Sequence, residues 1–329
     1  MLLVVMTHIS GFALGTESEN GFHGYFQQFR MPLFFFVSGF VFYKENFKWN
    51  VGNTLTFIKK KVTVQIISPL IFLLCYIYIK EISLKDALVS PTKSGYWFTF
   101  TLFSYFILYI LWQKIFDFFR LKGKWRLIIL LCIGFSLFNN FPINIPFRMG
   151  YAETLNILGL TQLKYFIFFV CGVCVKKYFR QFEKILDTTQ FTAITIATYF
   201  LTNIFVGTAN YNHHINNSIF LLLELCGIVI VFSIFRKNQA VFASENKVSK
   251  LLKFIGKRTL DIYLLHYFFI PFGLHKIFPF FTENNFPIIE FAVCLILTIM
   301  IVVACLVVSA VFRTSNTLGH FLFGAKKMK

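Results

Sequence analysis

The chain has 329 residues, of which 57% are hydrophobic and only 14% charged, with a formal net charge of +18. A soluble domain carries roughly 25% charged residues, and a chain with 47 Phe has more apolar surface than a globule of this size can bury, so a water-soluble fold is excluded. The positive charge needs no nucleic-acid partner, because basic loops of a membrane protein face anionic lipid headgroups and no interleaved basic and aromatic surface is present.

About 20 apolar residues cross a bilayer as a helix. In chain order, ten segments qualify as candidates: 1–14, 29–43, 62–79, 96–113, 126–141, 163–178, 190–206, 216–235, 260–278 and 287–312. The first is short, and the expected reading is a first helix truncated by roughly ten residues, judged from the 1.5 Å rise per residue. Lys and Arg collect in cytoplasmic loops. The loops after the second, fourth, sixth and eighth segments, together with the tail, hold 25 of the 32 basic residues, and the alternate loops hold 7. The fold class is therefore an all-α integral membrane protein of about ten transmembrane helices with N- and C-termini cytoplasmic. Residues 1–329 read as a single polytopic domain bounded by the lipid bilayer. Val248 to Phe254 reads as a short amphipathic helix outside the membrane, and 141–161, with two Pro and two Gly, as a loop that covers a site.

An ionisable or strongly polar side chain in hydrocarbon is costly and marks function by default. His8 in the first segment titrates near neutral pH and can take a proton from a hydroxyl; a structural histidine bonded to a neighbouring helix is an equal alternative. Arg30 opens the second segment, either as an interfacial residue or as a cation orienting His8 or a substrate oxygen. Ser38 can hydrogen-bond a ligand, and Gly39 beside it allows close helix approach. Glu224 lies mid-segment and needs a partner or a proton, whereas Glu290 reads as interfacial. Tyr263 and His266, three apart, share a helix face, and Asp261 reads as a first-turn residue near a positive helix end. Cys171 and Cys174 form a C-x-x-C lookalike without a second pair, so buried small hydrophobes are the favoured reading. His213 and His214 are adjacent but lack carboxylate or Cys partners, so no metal site is expected.

The runs Val4–His8, Arg30-Met31-Pro32 with Ser38-Gly39-Phe40, Gly95–Phe98, Phe168-Phe169-x-x-Gly172 and Gly256–His266 occur in an order and spacing that resembles bacterial membrane acyltransferase family 3. That family includes O-acetyltransferases of surface polysaccharides and fucose 4-O-acetylase-like members. The resemblance covers nearly the whole chain. It implies transfer of an acyl group, usually acetyl, from acyl-CoA to a hydroxyl of a glycan or lipid-linked sugar in the bacterial plasma (inner) membrane, alongside polysaccharide-synthesis proteins. Carried over, His8 is the catalytic base and Arg30 and Ser38 line the site; Tyr263, His266 and Glu224 complete the substrate-binding set. Two features depart from the family: an Arg usual before the first-helix His has no counterpart, and the Arg-x-x-Arg pair entering the third helix is replaced by Lys59-Lys60-Lys61. Lysines hold phosphate as point charges, so Lys60 and Lys61 are the expected donor-binding residues. The rival expectations are an exporter of a glycan or small acid, with Glu224 and the histidines relaying protons, and a non-catalytic member of a polysaccharide-synthesis complex.

Overall fold

A computed structural model of the protein describes residues 1–14, 22–140, 151–208, 213–271, 280 and 287–325. Helices are the only regular elements among the described residues, as expected of a chain whose backbone must satisfy itself within lipid. They are α1 (Leu2–Leu14), α2 (Phe22–Phe42), α3 (Val51–Val62), α4 (Ser68–Lys80), α5 (Leu84–Val89), α6 (Trp97–Phe118), α7 (Gly123–Asn140), α8 (Ala152–Ile157), α9 (Phe166–Lys177), α10 (Phe179–Leu186), α11 (Thr189–Thr208), α12 (His213–Lys237), α13 (Gln239–Ala243), α14 (Lys247–Lys257), α15 (Thr259–Phe269), α16 (Pro287–Phe312) and α17 (Asn316–Phe323).

Each of the ten expected segments falls on one of these helices, at least in part. Four helices among the described residues are long and apolar enough to cross a membrane: Val51–Lys80, Trp97–Phe118, His214–Lys237 and Ile288–Phe312. The third expected segment began at residue 62, but its helix begins at Val51 and runs through a π-turn at Thr63–Ile67. Three lysines end the apolar run there without ending the helix, because Lys is a good helix former. The expected amphipathic helix is α14, whose start is capped by Asn246 Oδ1 accepting from the Ser249 backbone N–H at 2.7 Å. Of the expected loop 141–161, residues 141–150 lie outside the described residues, as does the side chain of His213.

Packing divides the chain into two compact units: Met1–Arg30 with Val62–Ser83 and Glu245–Lys329, and Met31–Lys61 with Leu84–Ser244. In the first unit α1 and α15 both pack against α16. The buried face of α16 carries Cys294, Thr298, Cys305 and Ser309, while Ile296, Met300, Val303, Val307 and Val311 form an exposed stripe at helical spacing. Small and weakly polar residues inside, with branched apolar residues outside, is the arrangement a lipid solvent favours and water does not. Asp261, at 1% exposure, ties α15 to the end of α16. Its carboxylate accepts from Arg313 Nε and Nη2, both at 2.8 Å, from Ser309 Oγ, and from Arg258 Nη1 at 3.4 Å. Rather than only facing the positive end of its own helix, as the sequence reading had it, Asp261 is a cross-helix ion-pair centre. Ser68 Oγ donates at 2.7 Å to the carbonyl of Phe321, holding α17 beside the π-turn.

The second unit is aromatic at its core, with Phe35, Tyr105, Phe106 and Phe169 all buried. Helices α2 and α9 meet backbone to backbone. A Cβ added at Gly39 would lie 2.0 Å from the Phe169 carbonyl oxygen, and one at Gly172 would lie 2.0 Å from that of Phe36. This reciprocal contact accounts for the Ser-Gly-Phe and Phe-Phe-x-x-Gly runs as packing motifs. At one end of the unit Arg236 pairs with Glu183 and Asp187, and Lys237 Nζ donates to Thr192 Oγ1 at 2.8 Å. At another place Lys93, with no exposed surface, donates from Nζ to the carbonyls of Leu88 at 2.9 Å and of Asn156. One ammonium thereby caps the C-terminal turns of both α5 and α8, where carbonyls have no helical partner.

Candidate active site

His8 lies midway along α1, one turn before Phe12, and their rings stack with centroids 5.5 Å apart. The face His8 shares with this turn meets α15. Tyr267 Oη lies 3.0 Å from His8 Nε2, and the two rings are 5.1 Å apart at 49°. His266 stacks on His8 at 5.5 Å, and its ring meets that of Tyr267 at 4.1 Å, tilted by 41°. Tyr76 of α4 flanks the group, with its ring 6.2 Å from that of Tyr267. Three polar rings from two helices are thus in mutual contact inside the first unit.

The chemistry of His266 follows from its own helix. Its Nδ1 lies 3.0 Å from the carbonyl of Ile262 and 2.8 Å from that of Tyr263. Carbonyls only accept, so Nδ1 donates, and in the neutral ring Nε2 keeps its lone pair. That Nε2 is buried and has no hydrogen-bond partner among the described residues. Leaving such an atom unpaired costs about 1–3 kcal/mol, which gives the site an acceptor waiting for a hydrogen-bond donor. His8 is half-buried. When its Nε2–H donates to Tyr267, its Nδ1 retains the lone pair a general base requires.

Arg30 belongs to the same unit, within electrostatic reach of both His8 and Tyr267. Tyr263 is buried, with its ring 6.1 Å from that of His266. Of the expected site residues, His8, Arg30, Tyr263 and His266 therefore share the first unit. Ser38, Glu224, Lys60 and Lys61 belong to the second. There Glu224 Oε2 is buried with no hydrogen-bond partner among the described residues, and Ser38 is half-buried. Lys60 is exposed, and Lys61 lays its ammonium over the Phe106 ring, 4.6 Å from the centroid. Glu290, expected at the interface, is instead buried and accepts from Ser10 Oγ at 3.0 Å. Sequence reasoning missed Tyr267. Its neighbour Tyr263 drew attention by sharing a face with His266, but the residue that reaches His8 follows His266 directly, and only the packing of α1 beside α15 shows it.

Comparison with known proteins gives a match to a family. A family model described as an acyltransferase domain, that of acyltransferase family 3, covers residues 1–309, a span that includes both His8 and His266. No curated protein and no solved structure matches the chain.

Proposed function

The chain belongs to acyltransferase family 3 and is a membrane enzyme that transfers acyl groups, and from that premise we propose that it moves acetyl from acetyl-CoA to a hydroxyl of a glycan or lipid-linked sugar. The fucose 4-O-acetylase-like subtype and the bacterial inner membrane are part of this reading, as are ten spans with both termini cytoplasmic and polysaccharide-synthesis proteins as neighbours. The observation that carries it is the contact of His8 with Tyr267 and His266 in the first unit.

In this proposal His8 is the general base and Tyr267 holds its ring. The acceptor oxygen attacks the thioester carbonyl carbon, its proton passes to His8, the C–S bond breaks, and CoA leaves as a thiolate that then takes up a proton. Arg30 supplies positive charge near the developing oxyanion. Tyr263, in the same unit as His8, contacts the acceptor.

The free Nε2 of His266 favours a second assignment in which His266 takes the proton. Transfer of labelled acetyl from acetyl-CoA to membrane glycan separates the two. His8→Ala is expected to lose roughly 10²–10⁴-fold in rate, the usual contribution of a general base, and His266→Gln less. The opposite order makes His266 the base. Unchanged acetylation in both variants removes the site.

A further inference from the structure

The second unit holds a pocket of about 570 Å³ whose lining includes neither Lys60 nor Lys61. Gln113 of α6 and Arg126 of α7 line it, segment 43–50 between α2 and α3 forms another wall, and Lys177 closes it from the end of α9. That segment is fastened in several places. Asn46 takes a left-handed φ of 63°. Asn50 Oδ1 accepts from the Asn53 backbone N–H at 2.8 Å, and Asn53 Nδ2 donates to the Lys48 carbonyl at 3.0 Å. Lys114 Nζ donates to the Trp49 carbonyl, and the Trp49 indole stacks on Phe42 with centroids 5.6 Å apart.

Four cations line this pocket, Lys44, Lys48, Arg126 and Lys177, against one carboxylate, Asp117. Arg126 already occupies that carboxylate at 2.7 Å and holds Gln113 Oε1 at 3.3 Å. Lys177 donates to the Gly123 carbonyl at 3.2 Å, which aims its ammonium without neutralising it. The charge of Lys44, Lys48 and Lys177 is therefore left uncompensated by the pocket's own carboxylate, next to the half-buried Trp49 indole, which Phe42, Phe47 and Phe57 hold in place. Ammonium groups recognise phosphate as point charges, and an aromatic face recognises a planar base by stacking. The volume lies within the range of small-molecule and cofactor sites.

We propose that this pocket binds a nucleoside phosphate, with its phosphates on Lys44, Lys48 and Lys177 and its base against Trp49. In an acyl-CoA-dependent enzyme it is the seat of the nucleotide half of the donor, an assignment that rests on the acyl-CoA reading above and gives donor binding to residues other than Lys60 and Lys61. A lipid headgroup shares the phosphate chemistry but offers no planar base to Trp49.

The test uses the full chain in discs of neutral lipid, titrated calorimetrically with adenosine 3′,5′-bisphosphate. The expected result is binding that weakens by about tenfold or more in Lys44→Ala/Lys48→Ala, because charge-assisted contacts are being lost. Binding also weakens in Trp49→Leu and is retained in Trp49→Phe. Lys184→Ala, which removes an exposed cation outside the pocket, leaves it unchanged. Equal affinity in all variants overturns the proposal. So does a result in which the bisphosphate fails to bind while phosphatidylglycerol vesicles bind in a Lys44- and Lys48-dependent way, which assigns the pocket to lipid. Acetyl transfer that is indifferent to the pocket variants sinks the pocket alone. Nucleotide binding without transfer from any acyl-CoA leaves the pocket standing and removes the function proposed above.

Discussion

Tyr267 and Lys93 each use one polar atom to organise a larger surrounding. A phenol 3.0 Å from His8 Nε2 fixes which way the imidazole faces, so in the proposed reaction Tyr267 acts through His8. Tyr267→Phe keeps the ring contacts with His8 and His266 and removes only the hydroxyl. It is expected to lower kcat by roughly tenfold, the equivalent of one hydrogen bond of about 1.4 kcal/mol, with KM nearly unchanged. Steady-state kinetics with acetyl-CoA decides it, and a rise in KM at constant kcat shows that the hydroxyl serves binding instead. Lys93 makes its own prediction. Burial lowers its ammonium from the ordinary 10.5 to about 8. Between those values the unfolded chain binds more protons than the folded one, so folded stability contributed by this group rises as pH climbs from about 8 towards 10.5 and is absent below about 8. Thermal unfolding in detergent across that range is expected to show a positive slope that Lys93→Met lacks. Identical slopes contradict the assignment.

At the scale of the elements, the close approach of α2 and α9 depends on two hydrogens. With Cβ atoms 2.0 Å from backbone oxygens at Gly39 and Gly172, alanine at either position forces the helices apart, and overpacking of this kind costs about 1–3 kcal/mol. Gly256 lies within a run that resembles the same family, yet a Cβ there meets nothing within 4 Å. Gly256→Ala in α14 is therefore expected to be neutral or stabilising by up to about 1 kcal/mol through helix propensity. Melting temperatures of the three alanine variants give the comparison, and an equal loss at Gly256 shows that the runs are not being read by packing. The Asp261 centre works differently: it holds α15 to α16 by charge, and α15 carries both His266 and Tyr267, so the ion pairs at one end of the helix support the ring contacts further along it.

For the whole molecule, the loop charges carry an expectation about sidedness, and within the second unit several of the loops concerned lie together. The loops assigned to one side after the second, fourth and sixth segments all contribute to the pocket at Lys44, Arg126 and Lys177. The loop after the sixth also joins that after the eighth through Glu183, Asp187 and Arg236. Asn217 and Ser218, at the start of the eighth segment, bond to Asn139 near the end of the fifth. A fluorescent protein fused after Phe323 is expected to light up, and a periplasmic phosphatase inserted at Ser90 to be active. The reverse pattern overturns the orientation while leaving the fold intact.

Composition and loop charge by themselves determined an all-helical membrane protein and the approximate place of each apolar helix, and the histidine-bearing runs added their resemblance to acyltransferase family 3. Hydrophobicity and the side preference of Lys and Arg act through the solvent, which every residue meets independently of its neighbours, so they can be read along a line. Tertiary structure alone decided that Tyr267 reaches His8, that Asp261 binds Arg313, that Glu290 is buried against Ser10, and that Lys44, Lys48 and Lys177 surround one pocket. Each of those depends on which faces of separate helices meet, and a partner 259 residues away, as Tyr267 is from His8, leaves no periodic trace in the chain. His8 was legible as a costly polar group in an apolar run; what it touches was settled by the packing of α1 and α15 on α16.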